Sequence, residues 1–282
     1  FKNTVTFKFQ AGDTIDIDNS TELGKFVTDI GSSALTLTDQ AVTVSGTTLS
    51  VTQARSIAAD TTGTVTGSID TASRVSALTT LYNPGGGNET NAWTIVISSA
   101  DKTGSTAANL NTINAATSVA VNLNEVTALA ASDISDLATL NTNKDGLSNR
   151  GNLASITLTD NGGGGLSDVD FGALADVVDD YQTNFKNTVT FKFQAGDTID
   201  IDNSTELGKF VTDIGSSALT LTDQAVTVSG TTLSVTQARS IAADTTGTVT
   251  GSIDTASRVS ALTTLYNPGG GNETNAWTIV IS

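Results

Sequence analysis

FKNTVTFKFQAGDTIDIDNSTELGKFVTDI, residues 1–30, stands again letter for letter at residues 185–214, and the identity continues until Phe1 to Ser98 matches Phe185 to Ser282. The chain is therefore one period, 1–184, followed by the first 98 residues of an identical second period, 185–282. Old duplications drift apart. Identity over 98 positions predicts a recent tandem array, longer than this chain. Internal repetition is read before any motif, because it governs the fold.

A looser pattern runs inside the quoted stretch. Val5, Phe7 and Phe9 alternate with polar residues, as do Ile15 and Ile17 after the turn at Gln10 to Asp13. Leu23, Phe26, Val27 and Ile30 then fall on one helical face, with Asn19 or Ser20 as cap and Glu22 suited to the helix dipole. Working outward, the same alternation of strand and helix returns. Strand-like pairs are Leu35/Leu37, Val42/Val44, Val65/Ile69, Trp93/Ile95, Val119/Val121 and Ile156/Leu158. Helical stripes follow at Val51–Ile57, Val75–Leu81 with Asp70 or Thr71 as cap, Ala107–Ile113, Val126–Leu140 and Phe171–Tyr181 with a Ser167/Asp170 capping box. Gly-rich tracts at 84–88 and 161–165 read as loops. Six such segments average about 31 residues, inside the ~20–45 of stacked-repeat architectures. The fold expected is a repeat solenoid: a parallel β-solenoid with short helices packed on one side, in β/α coils of about 31 residues. The alternative is tandem β-sandwich domains.

Composition narrows the function. Net charge is −16, from 29 acidic and 13 basic residues. Such a chain repels phosphates and anionic lipid heads, so nucleic acid and membrane insertion are not expected. No apolar run reaches the ~18 residues of a membrane helix. A secretion signal would have to lie upstream of Phe1. The chain has no Cys, Met or His, which removes disulfides, Cys/His zinc sites and the usual triads and thiol nucleophiles. The same residues recur in every period, and repetition favours a material over an active site. No enzyme is expected.

Carboxylates are the one candidate chemistry. Asp13, Asp16 and Asp18, repeated as Asp197, Asp200 and Asp202, form the densest group. Asp16 and Asp18 are two apart on a strand and share a face. Hard oxygen ligands of this kind suit Ca²⁺, the one candidate cofactor. The plainer alternative is a solvated strand face that discourages edge pairing. Asn141-x-Asn143-x-Asp145-Gly146 is similar to the start of an EF-hand loop but lacks its closing carboxylate, so a turn is the better reading. Thr-x-Thr runs are what an ice-binding face would need, yet Lys8, Asp16, Val96 and Asn122 interrupt them. Asn19-Ser20-Thr21 and Asn88-Glu89-Thr90 are glycosylation sequons.

The segments Leu35–Asp39 (LTLTD), Val65–Ala72 (VTGSIDTA) and Ile156–Gly163 (ITLTDNGG) resemble the strand-repeat regions of giant secreted bacterial surface proteins: adhesins, sheath or filament proteins, and surface-layer proteins such as those of cyanobacteria. The likeness is one of composition and period and covers the whole chain. It implies a stalk, coat or fibre. The calcium nonapeptide of that group is not matched by Gly162–Asp168, so no calcium site carries over there. The expectation is a structural extracellular filament or cell-surface coat without catalysis, located outside the cell or on its surface. Its main partner would be itself, head to tail or as a continuous polymer, with surface glycans or lateral filament contacts as further candidates. The alternative is an adhesin stalk or ligand-binding surface rigidified by Ca²⁺.

Overall fold

The computed structural model describes residues 6–81, 91–159, 169–254, 256, 259–265 and 275–279. The expected loops at 84–88 and 161–165, the sequon at 88–90 and the capping Ser167 lie outside them.

In chain order the first elements are β1 (Phe7–Lys8), β2 (Thr14–Ile17), α1 (Ser20–Gly31), β3 (Leu35–Thr36), β4 (Ala41–Leu49), α2 (Val51–Asp60), β5 (Val65–Ile69), α3 (Val75–Leu78), β6 (Ala92–Thr94), α4 (Ala107–Ala115) and β7 (Val121–Asn122). Then come β8 (Ala128–Ser132), α5 (Ile134–Thr142), β9 (Leu147–Ser148), β10 (Ser155–Leu158), β11 (Val169–Asp170) and α6 (Phe171–Asn184). The second repeat supplies β12 (Thr190–Lys192), β13 (Thr198–Ile201), α7 (Ser204–Gly215), β14 (Leu219–Thr220), β15 (Ala225–Leu233), α8 (Val235–Asp244), β16 (Val249–Ile253), α9 (Val259–Leu262) and β17 (Ala276–Ile279).

Two compact units share these elements: Phe1–Thr127 with Thr142–Asn152, and Ala128–Asn141 with Leu153–Ser282. Within the first, the strands hydrogen-bond in the orders β1-β3, β2-β4-β5-β6 and β7-β9. Within the second, the orders are β14-β12-β10-β8 and β11-β13-β15-β16-β17. Every strand pairing among the described residues is parallel.

These facts correct the expected fold. The chain is a mixed α/β protein with five short parallel sheets and nine α-helices among the described residues. It is neither a sheet-dominated β-solenoid nor a string of β-sandwiches. Sandwiches are built from antiparallel strands, and none pair so among the described residues. The solenoid expectation underweighted the helices. Helices α1, α6 and α7 have 12, 14 and 12 residues, while the longest strands have nine and several have two. Hydrogen bonding therefore closes into separate sheets of two to five strands, each joined through crossovers that parallel pairing requires.

The core of the first unit shows why these residues form these elements. In β5, Val65, Gly67 and Ile69 point inward and Thr66 and Ser68 outward, the period of a half-buried strand. Helices α1, α2 and α4 bury Leu23/Phe26/Ile30, Val51/Ala54/Ile57 and Ala107/Leu110/Ile113, each set on one helical face. Asn19 caps α1 by accepting from the amides of Thr21 and Glu22. Ser50 and Gln53 form a reciprocal capping box on α2. Gly46, in the middle of β4, has no room for a side chain: a Cβ there would lie 1.5 Å from the Asp18 carbonyl oxygen.

Two local expectations fail for identifiable reasons. The stretch around Leu129 is strand β8, not helix, because Ser155 and Ile156 pair with Ala128 and Leu129. Helix α3 starts at Val75 rather than after Asp70. Its cap comes from a distant residue: the Asp101 carboxylate accepts from the Val75 amide at 2.9 Å and from Arg74 Nε at 2.9 Å. Asp70 instead closes its own turn onto the Ala72 amide.

Candidate functional site

The structure separates the three aspartates of the first repeat. Asp13 belongs to the turn at Gln10–Asp13, where its carboxylate accepts from the Gln10 amide at 2.9 Å and Gly12 takes a φ of +78°. Asp16 is exposed on β2. Asp18 follows β2, and its carboxylate accepts from the Ser45 hydroxyl at 3.0 Å. In the second repeat, Ser229 donates to both Asp200 and Asp202, at 3.2 and 3.1 Å. Asp197 is fully buried and accepts from the Gln194 amide at 2.7 Å. Asp200 and Asp202 thus meet over one serine hydroxyl, the equivalent serine of the first repeat bonds Asp18, and Asp13 and Asp197 serve turns. Among the described residues no group of three or more acidic side chains is gathered so as to hold a metal ion. In the EF-hand-like stretch, Asn141 is already committed: its amide donates to Asp180 at 2.8 Å and its oxygen accepts from Asn184 at 2.9 Å.

Identical residues sit in different surroundings. Phe7 is 66% exposed and its copy Phe191 is 0% exposed; Phe9 is 37% exposed and Phe193 8%. In the second unit, residues 153–159 and 169–184 cover the start of the repeat. Strand β10 pairs with β12, matching Ile156 to Phe191, and β11 pairs with β13, matching Val169 to Ile199. The Tyr181 ring meets Phe191 edge-on at 5.8 Å and stacks on Phe185 at 4.3 Å. Phe171 meets Phe210 edge-on at 5.0 Å. Lys209 pairs with Asp176 at 2.9 Å and approaches Asp179 at 3.7 Å. The Gln194 side-chain amide donates to the Leu158 carbonyl at 2.9 Å.

The first repeat has the same side chains without these partners. β2 is the outer strand of its sheet, and β1 pairs only with β3 among the described residues. Lys25, the copy of Lys209, makes no ion pair among the described residues. Asp29 is exposed, whereas its copy Asp213 is buried and its pKa is pushed up to about 6, chiefly by burial and further by the Asp179 charge, with Lys209 pulling the other way. The far end of the repeat shows the converse. Trp93 and Ile95 are buried in the first unit, where the Thr117 hydroxyl donates to the Trp93 carbonyl, while Trp277 is half-buried and Ile279 is exposed.

Residue-level reading missed this edge because both copies carry the same letters; the signal was the repeat itself. Compared with known proteins, the chain matches no protein family, no curated protein and no solved structure. No helix among the described residues is long and apolar enough to cross a membrane.

Proposed function

We propose that this chain is a structural protein of an extracellular filament or cell-surface coat, assembled from identical tandem periods and doing no chemistry. The observation that carries this reading is the exact 98-residue repeat folding into the same helices, with the same bounds and caps, in both copies. The closing residues of the first period cover the opening strand-and-helix face of the second. A protein with one active site has no use for that arrangement, whereas an array uses it at every joint. The acidic balance suits a hydrated surface layer.

The test is immunogold labelling of intact producing cells with an antibody raised against residues 20–60, together with the protein content of extracted surface material. Labelled surface structures enriched in this chain are expected. Label confined to the cell interior would end the reading.

A further inference from the structure

We propose that the contact between α6 and α7, where the close of one period meets the opening helix of the next, is a proton-operated latch that tightens when Asp213 is protonated and loosens when it ionises. The chemistry stands on this contact alone; its meaning for an array rests on the filament reading.

The helix pattern places the acid. Leu207, Phe210 and Ile214 form the apolar stripe of α7, and Asp213 falls within that buried set at 7% exposed. Helix α6 packs against α7, with Phe171 edge-on to Phe210 at 5.0 Å. An aspartate in such a stripe is costly unless it is paired or protonated. The Asp213 carboxylate accepts no hydrogen bond and joins no ion pair among the described residues.

The charges around it do not supply a partner. Lys209, one turn earlier on the same helix, is the cation that acts on Asp213. Its ammonium is held by Asp176 of α6 at 2.9 Å and approaches Asp179 at 3.7 Å. Three carboxylates therefore share one lysine, and Asp179 repels Asp213 from the facing helix. Asp180 turns instead to the Asn141 amide, and Glu206 accepts from the Asp202 amide and the Asn203 side chain. Helix α8 also packs on α7; its Arg239 and Asp244 form no ion pair among the described residues. Strands β14 and β15, the other neighbours of α7, carry no charged side chain.

Burial, and then the Asp179 charge, pushes the Asp213 pKa up to about 6, with Lys209 pulling the other way. When α6 moves off α7 the carboxyl meets water and returns toward the ~4 of an ordinary aspartate. The closed contact therefore holds the proton more tightly than the open one. Its added stability is complete below about pH 4 and is lost as pH rises through about 6. In an array of identical periods every such joint carries the same groups, so the array stiffens in acid and relaxes near neutrality.

Hydrogen–deuterium exchange of the full 282-residue chain decides it, because exchange reports local opening. It is read by mass spectrometry at pH 4.5 and 7 and corrected for the intrinsic exchange rate. Helix α6 is the reporter, since its sequence occurs once, whereas α7 shares every residue with α1. Helix α4, whose sequence also occurs once and which lies in the first unit, is the control. Protection of α6 is expected to fall by roughly tenfold or more between pH 4.5 and 7, and that of α4 to change by less than about threefold. Asp213→Asn keeps the shape of the side chain and cannot ionise, so it is expected to bring the α6 change down to the α4 level. Equal α6 protection at the two pH values overturns the proposal, as does a fall that α4 shares in full or one that survives in Asp213→Asn. The comparison of α6 with α4 needs no variant and decides the matter even if the substituted chain folds poorly. The result is independent of the immunogold labelling: the latch is read in the isolated chain, the filament on the cell.

Discussion

Phe7 and Phe191 share a sequence context yet differ from mostly exposed to fully buried, so the same substitution at the two positions separates local propensity from packing. Phe191→Ala removes a ring packed on Tyr181 and is expected to cost about 3–5 kcal/mol of stability, the usual range for a buried Phe. Phe7→Ala is expected to stay within about 0.5 kcal/mol, as surface changes do. Chemical denaturation of both variants beside the parent chain checks this. Equal losses would show that burial at this position does not depend on residues 153–184. A second residue-scale test lies at Gly46, whose Cβ would run into the Asp18 backbone. Backbone cannot swing aside as a flexible side chain can, so Gly46→Ala is expected to lower the melting temperature by several degrees, and Gly24→Ala, which meets nothing within 4 Å, is expected to leave it unchanged or slightly raised.

At the scale of elements, the contact between α6 and α7 holds the one strongly displaced carboxylate among the described residues. Asp213 on α7 is buried, faces Asp179 of α6, and shares the neighbourhood with Lys209, which is itself paired to Asp176. Its pKa stands at about 6 in the folded chain, above its ordinary value. The folded state then holds this proton more tightly than the unfolded chain does. The stabilisation is fully present below the unfolded pKa near 4 and is lost as pH rises through about 6. Asp213→Asn is expected to raise stability at pH 7 by roughly 1–3 kcal/mol and to flatten the pH profile between about 4 and 6. Asp29→Asn, at the exposed copy, serves as the matched control and is expected to do neither. Unfolding curves at pH 4, 5, 6 and 7 are the measurement, and identical profiles for Asp213→Asn and the parent would sink the assignment. The helices behind this contact were legible in the sequence: Leu23, Phe26 and Ile30 at helical spacing, with Asn19 ahead of them, mark α1 and α7 without ambiguity. What was not legible depended on partners distant in the chain. Asp101 caps α3 from another segment. Ala128–Ser132 becomes a strand only because Ser155–Leu158 lies beside it. The Asp13/Asp16/Asp18 group looked dense in one dimension, but a turn and a strand carry its members to different tasks.

For the whole molecule, the deciding quantity is a net charge of −16 set against few ion pairs. Among the described residues three close cation–carboxylate contacts occur, and two of them share Lys209. Most carboxylates thus repel one another across solvent, over distances that a Debye length of ~10 Å at 0.1 M salt cuts short. Self-repulsion weighs on the compact state more than on the expanded chain, so screening stabilises the fold. The melting temperature at pH 7 is expected to rise by several degrees between 10 and 200 mM sodium chloride. Surface ion pairs oppose this trend only weakly, since each contributes about 0–1 kcal/mol. Calcium chloride at matched ionic strength separates screening from binding. With no group of three carboxylates gathered for a metal among the described residues, the two salts are expected to give melting temperatures within a degree or two of each other. A calcium-specific rise that chelator reverses, and that Asp16→Asn with Asp18→Asn removes, would instead make the β2 face a cation site. Scanning calorimetry across both salt series reads either outcome. A flat response to sodium chloride would mean that repulsion among these carboxylates does not limit the stability of the fold.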